Sequence, residues 1–257
     1  MSLSGIDERP GRPLALGLAW LALLACACWA WFAFQGAVPL RLEPGGASVT
    51  PLPAPLRAGE VLLLFAMWTG MCVSLTLPAA VGGLFVYLRV ARRRAAVRWP
   101  RIRTALFTLG CLLAWSGFAA LVTLLHWALH DAGLLDATLT APAPVLGLAL
   151  VAAGAWQWTP TKHACLQHCR APLSGVLLDW RASTLGALWQ GAEHGRQCLG
   201  CCWLLVLLLL GAGPGNPAVV AAVALLALVE LKLEDAYLTA CIAGAAMVAW
   251  GTFLLFP

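Results

Sequence analysis

Apolar residues run along this chain in unbroken blocks, without the sustained alternation or three-and-four spacing of surface elements. Seven blocks stand out, at about 14–34, 60–88, 104–129, 143–158, 198–212, 217–233 and 238–256. A helix rising about 1.5 Å per residue crosses roughly 30 Å of hydrocarbon in some 20 residues. Buried in lipid, a backbone must satisfy its own hydrogen bonds, which favours helices. The pattern therefore predicts an all-α, polytopic transmembrane helix bundle of six to seven helices, forming a single integral membrane domain over residues 1–257. The fifth and sixth blocks are short. Only "GPGNP", Gly213 to Pro217, separates them, and its glycines and prolines predict a tight antiparallel hairpin.

Composition supports this reading: 61% of residues are hydrophobic against 11% charged, a balance that would not keep a soluble domain dispersed. The opening MSLSGIDERPGRP carries acidic residues and no small-residue cleavage site follows the first block, so that block is expected to remain. A net charge of +5 does not point to nucleic acid, because the positive residues gather in one connection, at Arg89, Arg92, Arg93, Arg94, Arg98, Arg101 and Arg103. Such a cluster marks the cytoplasmic side. The N-terminus and the long 159–197 loop then lie inside, and the connections at 35–60 and around Asp131 and Asp136 lie outside.

Hydrolytic chemistry has no visible basis: there is no nucleotide loop, no Ser-His-Asp set and no catalytic carboxylate pair. Thiols and imidazoles are another matter. "WTPTKHACLQHCRAP", Trp158 to Pro172, predicts a short interfacial helix capped by Thr159, with Pro160 at its first position. Cys165, His168 and Cys169 fall on one face of it, with His163 nearby. A second group follows at His194, Cys198, Cys201 and Cys202, the last three within "CLGCCW" at the expected start of the fifth helix. Both groups border the same loop, hence the same membrane surface. Thiolate and imidazole are ligands suited to Cu(I) or Zn(II). Toward the opposite surface, Met67 and Met71 on one helix and His126 and His130 on the next could form a second station for a soft ion. The isolated Cys26, Cys28, Cys72, Cys111 and Cys241 read as packing residues, and Glu230 as a snorkelling or locally paired side chain.

"AMW..M" from Ala66, "TPTKHACLQHCRAPL" from Thr159, "EHGRQCLGCCW" from Glu193, and the later "GN" and "ELKL" resemble a bacterial family of predicted metal-binding integral membrane proteins, over about residues 65–235. That family, first described as a domain of unknown function, includes a membrane copper chaperone serving secreted copper oxidases such as tyrosinase and laccase. Lys162, Cys165, His168, Cys169, His194, Cys198, Cys201, Cys202 and Asn216 match its pattern. The chain departs from it at "SLTLP", Ser74 to Pro78, where relatives are methionine-rich.

The resemblance implies a multi-pass protein of the bacterial inner membrane, and the arginine cluster places its N-terminus in the cytoplasm. The resemblance also implies a non-enzymatic copper-handling factor that holds Cu(I) and supports metallation of an extracytoplasmic copper oxidase client. Two alternatives stand beside it. One is a membrane thiol–disulfide oxidoreductase using Cys198 and Cys201 as a C-x-x-C pair at a helix start, and the other is a structural assembly subunit.

Overall fold

Eight helices and no strand make up the described residues of the computed structural model, which are 58–256 apart from 95, 96, 98, 136–140, 179, 182, 214, 215 and 234. They are α1 (Ala58–Arg93), α2 (Pro100–Asp131), α3 (Ala143–Gln157), α4 (Pro160–Arg170), α5 (Pro172–Leu178), α6 (Thr184–Ala212), α7 (Pro217–Lys232) and α8 (Ala236–Leu255). The all-α class is as expected. The predicted helix at 14–34, with Cys26 and Cys28, lies outside the described residues.

Four helices, α1, α2, α6 and α8, are long and apolar enough to cross a membrane. The blocks at 143–158 and 217–233 form shorter helices of 15 and 16 residues. Proline or a capping side chain sets most starts: Pro100 opens α2, Ser183 accepts from Gly186 N at α6, and Asn216 accepts from Ala218 and Val219 N at α7. Gly213, with φ 84, ends α6 where a side chain would be strained.

The predicted short helix is present as α4, with Pro160 in its first turn and the Thr159 hydroxyl accepting from Lys162 N at 3.3 Å. The rest of the expected 159–197 loop differs. It contains α5 and the first four turns of α6, which begins at Thr184 rather than near Cys198. Gly186, Ala187, Gln190, Gly191, His194, Gly195 and Cys198 all lie on the buried side of α6, recurring at helical spacing.

The tightest packing joins α2 to α6, with α1 against α2 and α3 against α8 as the next layers. Gly110 and Gly191 let the α2 and α6 backbones touch, since a Cβ on Gly191 would stand 1.9 Å from Phe107 O. Small residues at a crossing allow such an approach where apolar burial gives helices no special attraction. Trp115 donates its indole N–H to Gly195 O across the same seam at 3.3 Å.

One end of the bundle collects the arginines. Arg94 and Arg103 lie over the Trp180 ring, at 4.6 and 5.1 Å from its centroid, and Arg103 Nη2 donates to Arg181 O. The segment leading into α6 therefore shares an end with the basic α1–α2 connection. At the other end, Trp68 near the start of α1 meets His126 near the end of α2.

Candidate metal centre

Cys169 on α4 and Cys198 on α6 meet across the interhelical seam. The Cys169 thiol donates to Cys198 Sγ at 3.4 Å, and His194 Nε2 stands 3.7 Å from that same sulfur. All three side chains are buried. Cys201 and Cys202 line a small cavity together with Cys198. The thiols of Cys201 and Cys202 also turn back to Cys198 O, at 2.9 and 3.5 Å. Four sulfurs and one imidazole thus share a small volume where α4 leans on α6.

Room for the imidazole comes from α1. A Cβ at Gly83 would stand 2.4 Å from His194 Nε2, so only glycine there accommodates the ring in this place. His168 brings its ring to 5.6 Å from that of His194, centroid to centroid. Both rings line a cavity of about 310 Å³, together with Arg181, Gln190 and Glu193. Cys165 sits half-buried at the edge of the group, against Gly200. His163 points elsewhere: its ring packs on Tyr237 of α8 at 5.0 Å.

The electrostatics of α4 follow from these contacts. Donation to Cys198 holds the Cys169 thiol well above its ordinary value, and burial adds to the shift. Burial pushes the Cys165 thiol up, with Cys201 adding to it. Burial and the neighbouring Lys162 charge lower His163.

Among the described residues, no three His, Cys, Asp or Glu side chains are already disposed to close around one ion. The Cys169–Cys198 pair comes near to it. The observed 3.4 Å is a thiol–thiol hydrogen bond that a small side-chain rotation would open. The donor set is soft, and all eight described cysteines are free, which suits Cu(I) better than harder ions.

The helix-start argument for Cys198 and Cys201 does not hold. With α6 beginning at Thr184, Cys198 lies about four turns inside the helix, beyond the reach of its terminal dipole.

The expected second station is brought to one end of the bundle but is differently bonded. Trp68 Nε1 donates to His126 Nδ1 at 3.2 Å, so that ring nitrogen is already engaged in a hydrogen bond. Met71 is buried in the core, Met67 packs half-buried against it, and His130 is half-buried.

One feature of the site was not anticipated from spacing. Lys162 Nζ forms a bidentate pair with Glu230 of α7, at 2.7 and 2.8 Å, with side-chain exposures of 0% and 3%.

A family model described as PpoB2, copper chaperone, matches residues 65–254. The chain belongs to this copper chaperone family. The match contains every residue of the thiol–imidazole cluster and runs on through most of α8, past the Asp235 near which the quoted motifs end. No curated protein and no solved structure matches the chain.

Proposed function

We propose that this protein is an integral membrane copper chaperone that receives Cu(I) through the cavity bordered by His168 and His194. It holds the ion on Cys169 and Cys198 with His194 at hand, and supports metallation of an extracytoplasmic copper oxidase. The cytoplasmic membrane of a bacterium, with the arginine-rich end inside, is its proposed setting.

The observation that carries this reading is the meeting of Cys169, Cys198 and His194 from two helices, inside the matched copper chaperone region. Thiolates favour Cu(I), and a low coordination number lets the ion pass from one sulfur of the cluster to the next by ligand exchange. Such a site exchanges its ion and performs no bond-breaking chemistry. Cys201 and Cys202 supply further thiols within the same volume, as successive holding points.

Thiol–disulfide exchange fits the geometry less well. It needs in-line attack on an accessible sulfur, whereas Cys198 is 1% exposed and Cys201 is 9% exposed. A small ion can enter where a partner's thiol cannot.

The test is the copper content of the detergent-purified chain under reducing conditions, beside a Cys169→Ser/Cys198→Ser variant. We expect about one tightly held Cu(I) that the variant loses, with affinity down at least about a hundredfold. In cells at limiting copper, the variant should leave a copper oxidase client largely inactive, and excess copper should restore it by mass action. Equal copper content in the two proteins would end this reading.

A further inference from the structure

The buried Lys162–Glu230 pair is not accounted for by holding copper, nor by stability. A buried ion pair is costly to desolvate, and replacing one by apolar residues is often neutral or stabilising. Ionisable groups at such depth in a helix bundle mark function. What matters here is its surroundings. Glu230 lines a cavity of about 20 Å³ together with Cys198, Cys201, Cys202 and Thr76. That is room for one water or one bare ion and nothing larger. Lys162 is one turn before Cys165 on α4, and its Nζ rests on the Glu230 carboxylate that lines this cavity. The pair therefore borders the small cavity whose other wall is sulfur.

Binding changes the charge of that cavity. Two cysteines that take up one Cu(I) release whatever protons their thiols carry and form a bis-thiolate complex of net charge −1; copper keeps its oxidation state. An unbalanced anion in a dry interior is strongly disfavoured. Before binding, the Lys162 charge is met by the Glu230 carboxylate.

We propose that Lys162 is the counter-charge of the anionic copper–thiolate complex, and that Glu230 competes with the complex for it, setting how tightly the ion is held. This rests on the copper reading of the thiol cluster and adds to it a residue pair that tunes affinity without touching the ion. Both are positioning groups, acting through charge.

The competition gives the two partners opposite signs, which a purely architectural pair would not. Lys162→Met should weaken Cu(I) binding by about tenfold or more, because the complex loses its counter-charge. Glu230→Gln should tighten it, because Lys162 is then free to serve the complex alone. The double variant Lys162→Met/Glu230→Leu carries no unpaired charge and is expected to fold. It should bind as weakly as Lys162→Met.

The measurement is competition for Cu(I) between the full-length purified chain and a chromophoric Cu(I) chelator, with helix content checked by circular dichroism. If the pair only pins α4 to α7, the double variant recovers wild-type affinity and Glu230→Gln weakens binding; either result overturns the proposal. The double variant alone decides should a single variant fail to fold. Failure of the underlying copper reading looks different: Cu(I) binding would then be absent from the wild type, or unaffected by Cys169→Ser/Cys198→Ser.

Discussion

A single missing methyl group at Gly83 determines where His194 can be. The imidazole occupies the space a Cβ would need, at 2.4 Å from Nε2. Gly83→Ala must therefore move the ring, and the ring's place beside Cys198 is what makes it available to an ion on that sulfur. Overpacking of this kind costs about 1–3 kcal/mol, which a bundle of this size should survive. We expect Gly83→Ala to keep its helix content and its full count of titratable thiols, and to bind Cu(I) about tenfold more weakly in chelator competition. Unchanged affinity would remove His194 from the working site. The residue types of the cluster were legible in the sequence because thiols and imidazoles declare their chemistry. Their selection was not. Spacing put His168 on the face of Cys165 and Cys169 with His163 beside it, but it could not show that His163 packs on Tyr237 while His168 faces His194. Nor does spacing reveal that Trp68 occupies the nitrogen of His126.

At the scale of elements, the apolar blocks foretold the long helices, because a run of hydrocarbon side chains admits few other structures in lipid. They failed for α6. Its first half carries Gln190, Glu193, Arg196 and Gln197 among three glycines, which read as a polar, flexible loop. Those glycines are instead the contact surface of a buried helix, and the polar residues face the cavity or pair locally, as Arg196 does with Glu193. The signal was there, in small residues three and four apart after Ser183. The Lys162–Glu230 pair had none, since its partners lie 68 residues apart on separate helices. Packing at the seam makes a direct prediction. Gly191→Ala would drive a Cβ into the α2 backbone, at 1.9 Å from Phe107 O, whereas a Cβ at Gly117 on α2 meets nothing within 4 Å. Gly191→Ala should lower the thermal midpoint of the purified protein by about 5 °C or more. Gly117→Ala should hold or raise it, through the better helix propensity of alanine. Equal midpoints would mean that the α2–α6 seam yields without cost.

Taken whole, the molecule has two unlike ends. Arg94, Arg103, Trp180 and Arg181 gather at one, beside the roughly 310 Å³ cavity that His168 and His194 line; His130 and Asp131 close α2 at the other. Basic connections stay on the cytoplasmic side because their translocation is disfavoured. If that rule holds here, the cavity opens inward, and copper reaches the thiols from the cytoplasm, where Cu(I) and free thiols are both kept reduced. Single reporter cysteines test the orientation at exposed sites at the two ends: Arg101→Cys at the basic end and Ala132→Cys just beyond α2. The native thiols of the unmodified chain give the background. In intact spheroplasts a membrane-impermeant maleimide should label Ala132→Cys, and it should label Arg101→Cys only after the membrane is opened. The reverse pattern would turn the molecule over, placing the entry cavity outside. Loading would then draw on extracytoplasmic copper, and the cluster would act as an importer's first contact, not as a cytoplasmic donor's last.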